Sequence, residues 1–202
     1  MIMLINEEYI NSKIIDEYKE LLSNRLNENR YYHSLCVAEE ARRLACIYGA
    51  DQNNAYLAGL LHDITKNAST EEHLKIFDTF DIILTDVEKS SIKLWHAISG
   101  AAYVEHFLCV DDKEVIDSIR YHTTAREKMT LLDTVIYLAD FTSADRDYQD
   151  VDVMRSLVDK SKNEALNYAL KYTIQELIEK GAAIHPDTIS AYNSVVLKGK
   201  DI

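Results

Sequence analysis

The chain has 202 residues, of which 47% are hydrophobic, and this suits one domain with a large core. The formal net charge of −12 argues against a protein whose main task is to coat nucleic acid, because phosphate contacts need clustered Lys and Arg. A small polyphosphate substrate is not excluded, since it needs only a local positive site or metal ions.

Helical periodicity dominates the chain, and only five Gly and one Pro are present to form turns. Asp51 is placed to cap a helix, and Ser69 with Glu72 and Thr130 with Asp133 fit capping boxes. In chain order, helices are predicted at residues 6–26, 30–48, 52–64, 70–80, 87–108, 112–122, 130–141 and 153–180, with a short helix after Pro186. No strand pair is evident. The sequence therefore predicts an all-α, single-domain helical bundle over residues 1–202.

The chain ends and the cysteines indicate the compartment. The N-terminal MIMLIN has no basic segment and is too short for a signal peptide, and no apolar run approaches the roughly 20 residues that span a bilayer. Cys36, Cys46 and Cys109 are odd in number and show no CxxC spacing, which is typical of reduced thiols. We expect a soluble cytoplasmic protein with no membrane partner, and we expect the final KGKDI to be frayed.

Polar residues interrupt helix faces that otherwise read as core-facing, on five separate predicted helices. These residues are His33, His62, Asp63, His96, His122 and Asp140. A buried imidazole or carboxylate costs free energy unless a hydrogen bond or a metal ion satisfies it. Bundles build metal sites from such inward-pointing groups, and this mixture suits Fe, Mn, Zn or Co. His73 and His106 lack such surroundings, and we expect both at the surface.

The same residues carry a family resemblance. His33, the His62-Asp63 pair and Asp140 match the H…HD…D signature of the HD-domain metal-dependent phosphohydrolases. The segments RYYHSLCVAEEARRLA, AGLLHDITK, LWHAISGA, IRYHTT, IYLADF and IHPDTISAYN resemble successive motifs of the YqeK family, from about residue 28 to 195. That family is described as symmetrical diadenosine tetraphosphate hydrolases. The resemblance implies a metal-dependent enzyme in which metal-bound water attacks a phosphoanhydride and two ADP are released.

The resemblance also implies roles for individual residues. The metal, iron by resemblance with Mn, Co or Zn as alternatives, is expected on His33, His62, Asp63 and Asp140. Asp63 is expected to be catalytic, together with Lys66, which either reaches the phosphate or the attacking water or merely places a cation at a helix C-terminus. Substrate contacts are expected from Arg30, His96, His122, Arg146, His185 and Thr188. For His96 and His122 we favour phosphate contact, while a second ion bound along with substrate stays open.

One segment departs from the family pattern. After Asp140 the family reads I-S-P-x-R-D, whereas this chain reads TSADRDYQD, with Ala144 where a proline is expected. We therefore expect a less rigid loop. Arg146 keeps its expected place, and its planar guanidinium suits a phosphate clamp.

Other functions remain open at the level of sequence. One is an HD phosphohydrolase acting on a nucleoside monophosphate, a cyclic nucleotide or a guanosine alarmone, although no GYP-type motif follows the HD pair. A di-iron oxygenase and a non-enzymatic helical interaction module are the others. The partner is expected to be a small nucleotide rather than nucleic acid, and the sequence leaves a homodimer open.

Overall fold

A computed structural model describes the backbone of residues 7–198 and the side chains of residues 13–197. Within those residues the chain forms eleven α-helices and no strand, which confirms the all-α prediction. The helices are Glu7–Arg25 (α1), Glu28–Tyr48 (α2), Gln52–Leu61 (α3), Thr70–Thr79 (α4), Asp86–Ser90 (α5), Trp95–His106 (α6), Lys113–Tyr121 (α7), Leu131–Thr142 (α8), Val151–Lys160 (α9), Lys162–Glu179 (α10) and Pro186–Lys198 (α11). The expectations for MIMLIN and for a frayed KGKDI lie outside the described residues.

Local side-chain chemistry sets the helix starts. The Asp51 carboxylate accepts a hydrogen bond from the Asn54 N–H at the start of α3, as predicted. Thr130 and Asp133 form the predicted capping box of α8. The Ser69 hydroxyl caps α4, but the carboxylate of Glu72 pairs with Arg25.

Two segments that were each predicted as one helix form two helices. The segment 87–108 is divided at Ser91, whose extended backbone (φ −133°, ψ 92°) separates α5 from the 3₁₀ turn Ile92–Leu94 that leads into α6. The segment 153–180 is divided at Ser161 (φ −158°, ψ 110°), whose hydroxyl caps α10. A serine side chain can hydrogen-bond to nearby backbone groups and so favour a helix end over a helix interior. The spacing of apolar residues does not indicate such a break. The helix after Pro186 is also longer than the short one predicted, at 13 residues.

Helix α8 forms the centre of the bundle. All its residues from 132 to 139 are buried, and it contacts α2, α3, α7, α9 and α10. Helix α3 packs along α2, and the two backbones are so close at Gly59 that a Cβ atom there would lie 2.9 Å from Ala38 Cα. Residues 62, 122 and 140 lie at or just beyond the C-terminal ends of α3, α7 and α8, so those helix ends are the frame of the candidate site.

The expectation that His73 lies at the surface is wrong, because only 4% of this residue is exposed. Its ring packs beside Phe77 and Trp95, with its Nδ1 atom 2.8 Å from the Ser99 hydroxyl oxygen. The preceding Glu71 and Glu72 made the segment look solvated, but His73 shares the buried face of α4 with Ile76 and Phe77. His106 is exposed, as predicted.

Burial makes His73 a source of acid sensitivity. Desolvation lowers the pKa of His73 below its usual value, against the opposing charge of Glu72. The unfolded chain therefore takes up the proton first, and the stability contributed by neutral His73 is lost as pH falls below about 6.5. We expect His73→Gln to lose less unfolding free energy than the wild type between pH 7 and pH 5, measured by urea denaturation. His106→Gln removes an exposed imidazole and should follow the wild type; equal losses in all three proteins would contradict the assignment.

Two further expectations concern the compartment. Within the described part of the chain, no helix combines the length and apolar character needed to cross a bilayer. Cys36, Cys46 and Cys109 are all free thiols, as predicted.

Candidate metal centre

The imidazoles and carboxylates that interrupt the helix faces converge in space. His33 lies on α2 and His96 on α6, His62 and Asp63 directly follow α3, His122 directly follows α7, and Asp140 is near the end of α8. The first five residues in chain order are at most 3% exposed, whereas 22% of the Asp140 side chain is exposed. The centre is therefore buried in the bundle, with Asp140 on its more open side.

Three overlapping groups of side chains have the spacing of ligands to one ion. Two of them share His62, and these are His33 with His62 and Asp63, and His62 with His122 and Asp140; the third is Asp63 with His96 and His122. Within each group the ligand atoms lie within 4.8 Å of one another. Metal bonds of about 2.1 Å put two ligands of one octahedral ion about 3.0 to 4.2 Å apart. The spacing therefore fits a metal ion after small adjustments of the side chains.

The hydrogen bonds of the imidazoles turn their lone pairs towards the centre. His62 Nδ1 donates to the Gly59 carbonyl oxygen over 2.6 Å, and His122 Nδ1 donates to the Ile119 carbonyl oxygen over 2.7 Å. In the neutral form of each ring, this hydrogen bond leaves Nε2 as the nitrogen with the free lone pair. The His62 Nε2 and Asp63 Oδ1 atoms are buried without a hydrogen-bond partner, a costly arrangement that a metal ion would satisfy. The residues present fit a bound metal ion.

His33 has a carboxylate on each ring nitrogen. Its Nε2 lies 2.9 Å from Asp140 Oδ1, and its Nδ1 lies 2.7 Å from Asp145 Oδ2. Asp145 was not predicted from the sequence, because it lies in a loop where helical periodicity does not indicate the direction of a side chain. The one available signal was an acidic residue five positions after Asp140.

The third group, Asp63 with His96 and His122, lies beside Lys66. The His96 Nε2 atom lies 3.1 Å from Asp63 Oδ1, 3.1 Å from His122 Nε2 and 3.0 Å from the Lys66 Nζ atom. Burial lowers the pKa of His96 to about 4, although Asp63 opposes the shift. A neutral His96 accepts from the Lys66 ammonium group, so Lys66 lies at the edge of the cluster and supplies a positive charge there.

The two candidate phosphate clamps contact the carboxylates of the centre. Arg30 Nη1 lies 2.7 Å from Asp63 Oδ2, and Arg146 forms an ion pair with Asp140. Burial raises the pKa of both carboxyls, but His62 and the neighbouring imidazoles hold that of Asp63 well below its usual range. Arg146 and His33 do the same for the pKa of Asp140. Both carboxylates are therefore ionised and available as ligands.

His185 and Thr188, the last two predicted substrate contacts, lie near the start of α11. The Thr188 hydroxyl donates to the Thr124 carbonyl oxygen over 2.8 Å, which ties the start of α11 to the loop after His122. The His185 Nε2 atom lies 3.6 Å from Glu88 Oε1. Among the described residues, no hydrogen bond or ion pair joins His185 or Thr188 directly to the metal-ligand candidates. Their proposed contact with substrate remains a prediction.

Glu88 is a second residue near the centre that the sequence did not predict. It is 3% exposed, its Oε1 atom accepts from Arg120 over 2.5 Å, and its carbonyl oxygen accepts from the Trp95 indole over 2.7 Å. Arg120 is two residues before His122, and Trp95 directly precedes His96. Glu88 therefore ties together the segments that carry His96, His122 and His185.

Comparison with known proteins agrees with this geometry. The HD-domain family profile matches residues 30–145, more than half of the chain. The matched segment includes every metal-ligand candidate and Asp145.

Curated relatives and a solved structure match nearly the whole chain. "Bis(5'-nucleosyl)-tetraphosphatase, symmetrical" of Bacillus subtilis is 36% identical, covering 90% of this chain and 97% of the relative. The protein of the same name from Halalkalibacterium halodurans is 35% identical, covering 90% and 96%. A predicted HD superfamily hydrolase involved in NAD metabolism from Clostridium acetobutylicum superposes with a TM-score of 0.88 at 35% identity, over 91% of this chain and 97% of that one. The chain therefore belongs to the HD-domain family and, within it, to the YqeK family that its motifs resemble.

Proposed function

We propose that the chain hydrolyses diadenosine tetraphosphate symmetrically and releases two ADP. The observation that carries the proposal is the buried centre itself, where imidazole lone pairs and ionised carboxylates converge from five elements. The names of the relatives at 35% and 36% identity support this reaction over another HD phosphohydrolase. Because those names describe a phosphatase, they also favour hydrolysis over an oxygenase or a non-enzymatic module.

We assign the metal to His33, His62, Asp63 and Asp140, and we propose iron. Two carboxylates balance the charge of a divalent ion, while four protein ligands leave positions of an octahedral shell for water and a phosphate oxygen. When bound, the metal supplies positive charge at the phosphate and makes water acidic enough to act as a nucleophile near neutral pH. Mn, Co and Zn suit the same donors, so elemental analysis of purified protein is the direct check of the element.

Positive side chains at the rim of the centre would bind the polyphosphate. Lys66, Arg30 and Arg146 each have about a third of the side chain exposed, so their charges are open to an incoming anion. Arginine binds two phosphate oxygens at once, and fixed charges of this kind stabilise developing negative charge in phosphoryl transfer. This local positive rim explains how a chain of net charge −12 would accept a polyanionic substrate.

The four imidazole and hydroxyl groups predicted to contact substrate divide into two pairs. His96 and His122 face Asp63 and Lys66, and we propose that they lie against the phosphates beside the metal. His185 and Thr188 are proposed to border the nucleotide at the start of α11. Because the Thr188 hydroxyl donates to Thr124, its contribution would be to hold this segment in place.

A product assay tests the reaction. Metal-loaded wild-type protein should convert diadenosine tetraphosphate into ADP alone, because attack in the middle of the four-phosphate chain leaves an ADP on each side. Recovery of AMP and ATP in equal amounts would overturn the symmetrical assignment. A nucleoside monophosphate, a cyclic nucleotide and a guanosine alarmone should each be hydrolysed much more slowly. Hydrolysis of diadenosine tetraphosphate should proceed at the same rate without oxygen, which an oxygenase would require.

A further inference from the structure

Asp145 is bound through both of its carboxylate oxygens. Its Oδ2 atom lies 2.7 Å from His33 Nδ1, and its Oδ1 atom accepts from the Ser143 hydroxyl over 2.7 Å. Only 19% of its side chain is exposed. The residue stands at the unspecified position of the family segment I-S-P-x-R-D, so the motif itself assigns no role to it.

The loop that carries Asp145 is held by side chains, although it lacks the expected proline. Arg155 donates to the carbonyl oxygens of Ser143 and Arg146 over 3.0 Å and 2.9 Å. Arg146 Nε donates to the Asp140 carbonyl oxygen over 2.6 Å. These bonds fix the backbone on both sides of Asp145. They would offset the rigidity lost with Ala144, and they present the carboxylate to α2 in a defined position.

His33 differs in this respect from the other two imidazoles of the groups around His62. The Nδ1 atoms of His62 and His122 donate to neutral carbonyl oxygens, of Gly59 and Ile119, whereas that of His33 donates to a carboxylate. A carboxylate partner fixes the tautomer of a metal-binding histidine, fixes the orientation of its ring and makes its other nitrogen a stronger ligand. The effect on metal affinity is typically 10-fold to 100-fold.

We propose that Asp145 is a positioning residue that orients and polarises His33 and thereby sets the affinity of the centre for its metal. The inference rests on the proposed role of His33 as a ligand. Asp145 acts through His33 and does not itself contact the metal or the substrate. Because Asp145 also accepts from Ser143 within its own loop, the alternative is that it only stabilises that loop.

The test compares two variants of Asp145 with a matched control. Asp145→Ala removes both the charge and the acceptor, while Asp145→Asn keeps an acceptor for the His33 N–H. Asp147→Asn makes the same charge change two residues away, at an exposed position. Each protein is stripped of metal and titrated with Fe²⁺ or Mn²⁺ against a competing chelator, with bound metal measured by elemental analysis. Melting temperatures of the metal-free proteins are recorded alongside.

The expected metal dissociation constant rises about 10-fold to 100-fold in Asp145→Ala and less in Asp145→Asn, while Asp147→Asn matches the wild type. Turnover at saturating metal should approach the wild-type rate in both Asp145 variants, because the reacting groups are intact. Wild-type affinity in Asp145→Ala, with a lowered melting temperature as the sole change, overturns the role of Asp145 and leaves the proposed function standing. Failure of the wild type to bind any metal overturns both.

Discussion

Replacing Asp63 with asparagine should abolish hydrolysis and strip the centre of its metal. Asp63 is 1% exposed, and its two oxygens face Arg30 on one side and His96 on the other. Asparagine keeps the shape but loses the negative charge that a cation requires. Removing an outer partner of a metal ligand already lowers affinity or activity about 10-fold to 100-fold, so loss of the ligand itself should exceed about 100-fold in kcat/KM.

The control for Asp63 is another buried carboxylate that also pairs with an arginine. Asp133 is 2% exposed and its Oδ2 atom accepts from Arg126 over 2.8 Å, at the start of α8 and about two helical turns before Asp140. Asp133→Asn should lower the melting temperature by weakening the cap of α8 while keeping metal content and kcat. An Asp63→Asn protein that retains stoichiometric metal and a tenth or more of the wild-type rate would refute the assignment of Asp63 as a ligand.

The sequence indicated which side chains point into the bundle better than it indicated some helix boundaries. His33 and His96 lie within helices, where the 3.6-residue period reports which way a side chain points. His62 and His122 follow the last helical residue of α3 and α7, so the period still applies to them within one turn. The breaks at Ser91 and Ser161 depend on a single residue leaving the helical region, and the apolar pattern continues across both.

Contacts between distant loops and helices were the part that the sequence did not reveal. Asp145 reaches His33 across 112 positions, and Glu88 reaches Arg120 across 32. Neither Asp145 nor Glu88 lies on a helix long enough for its periodicity to indicate burial. His73 does lie on a regular helix, but the prediction for it was wrong. The two adjacent glutamates suggested an exposed segment, whereas His73 lies on the apolar face of α4. Such contacts are set by how helices and loops pack in three dimensions.

Replacing Gly59 with alanine should destabilise the fold and disturb the metal centre together. A Cβ atom at this position would lie 2.9 Å from Ala38 Cα and 3.0 Å from the Val37 carbonyl oxygen, both backbone atoms of α2. Backbone cannot rotate away, so α3 must shift from α2, and overpacking of this kind costs about 1 to 3 kcal/mol. The shift also moves the Gly59 carbonyl oxygen that orients His62. We expect weaker metal binding as well as a lower free energy of unfolding.

Gly100→Ala separates this steric effect from helix propensity. Gly100 is also inside a helix, but its nearest contact would be the Thr65 hydroxyl oxygen at 3.4 Å, an ordinary distance. Alanine is favoured over glycine within a helix by about 0.5 to 1 kcal/mol, so Gly100→Ala should be neutral or stabilising in urea denaturation of the metal-free protein. The same gain is available to Gly59→Ala and should be outweighed there. If the two variants were equally stable, the close approach of α2 and α3 would not constrain residue 59, and the orientation of His62 would have to depend on other contacts.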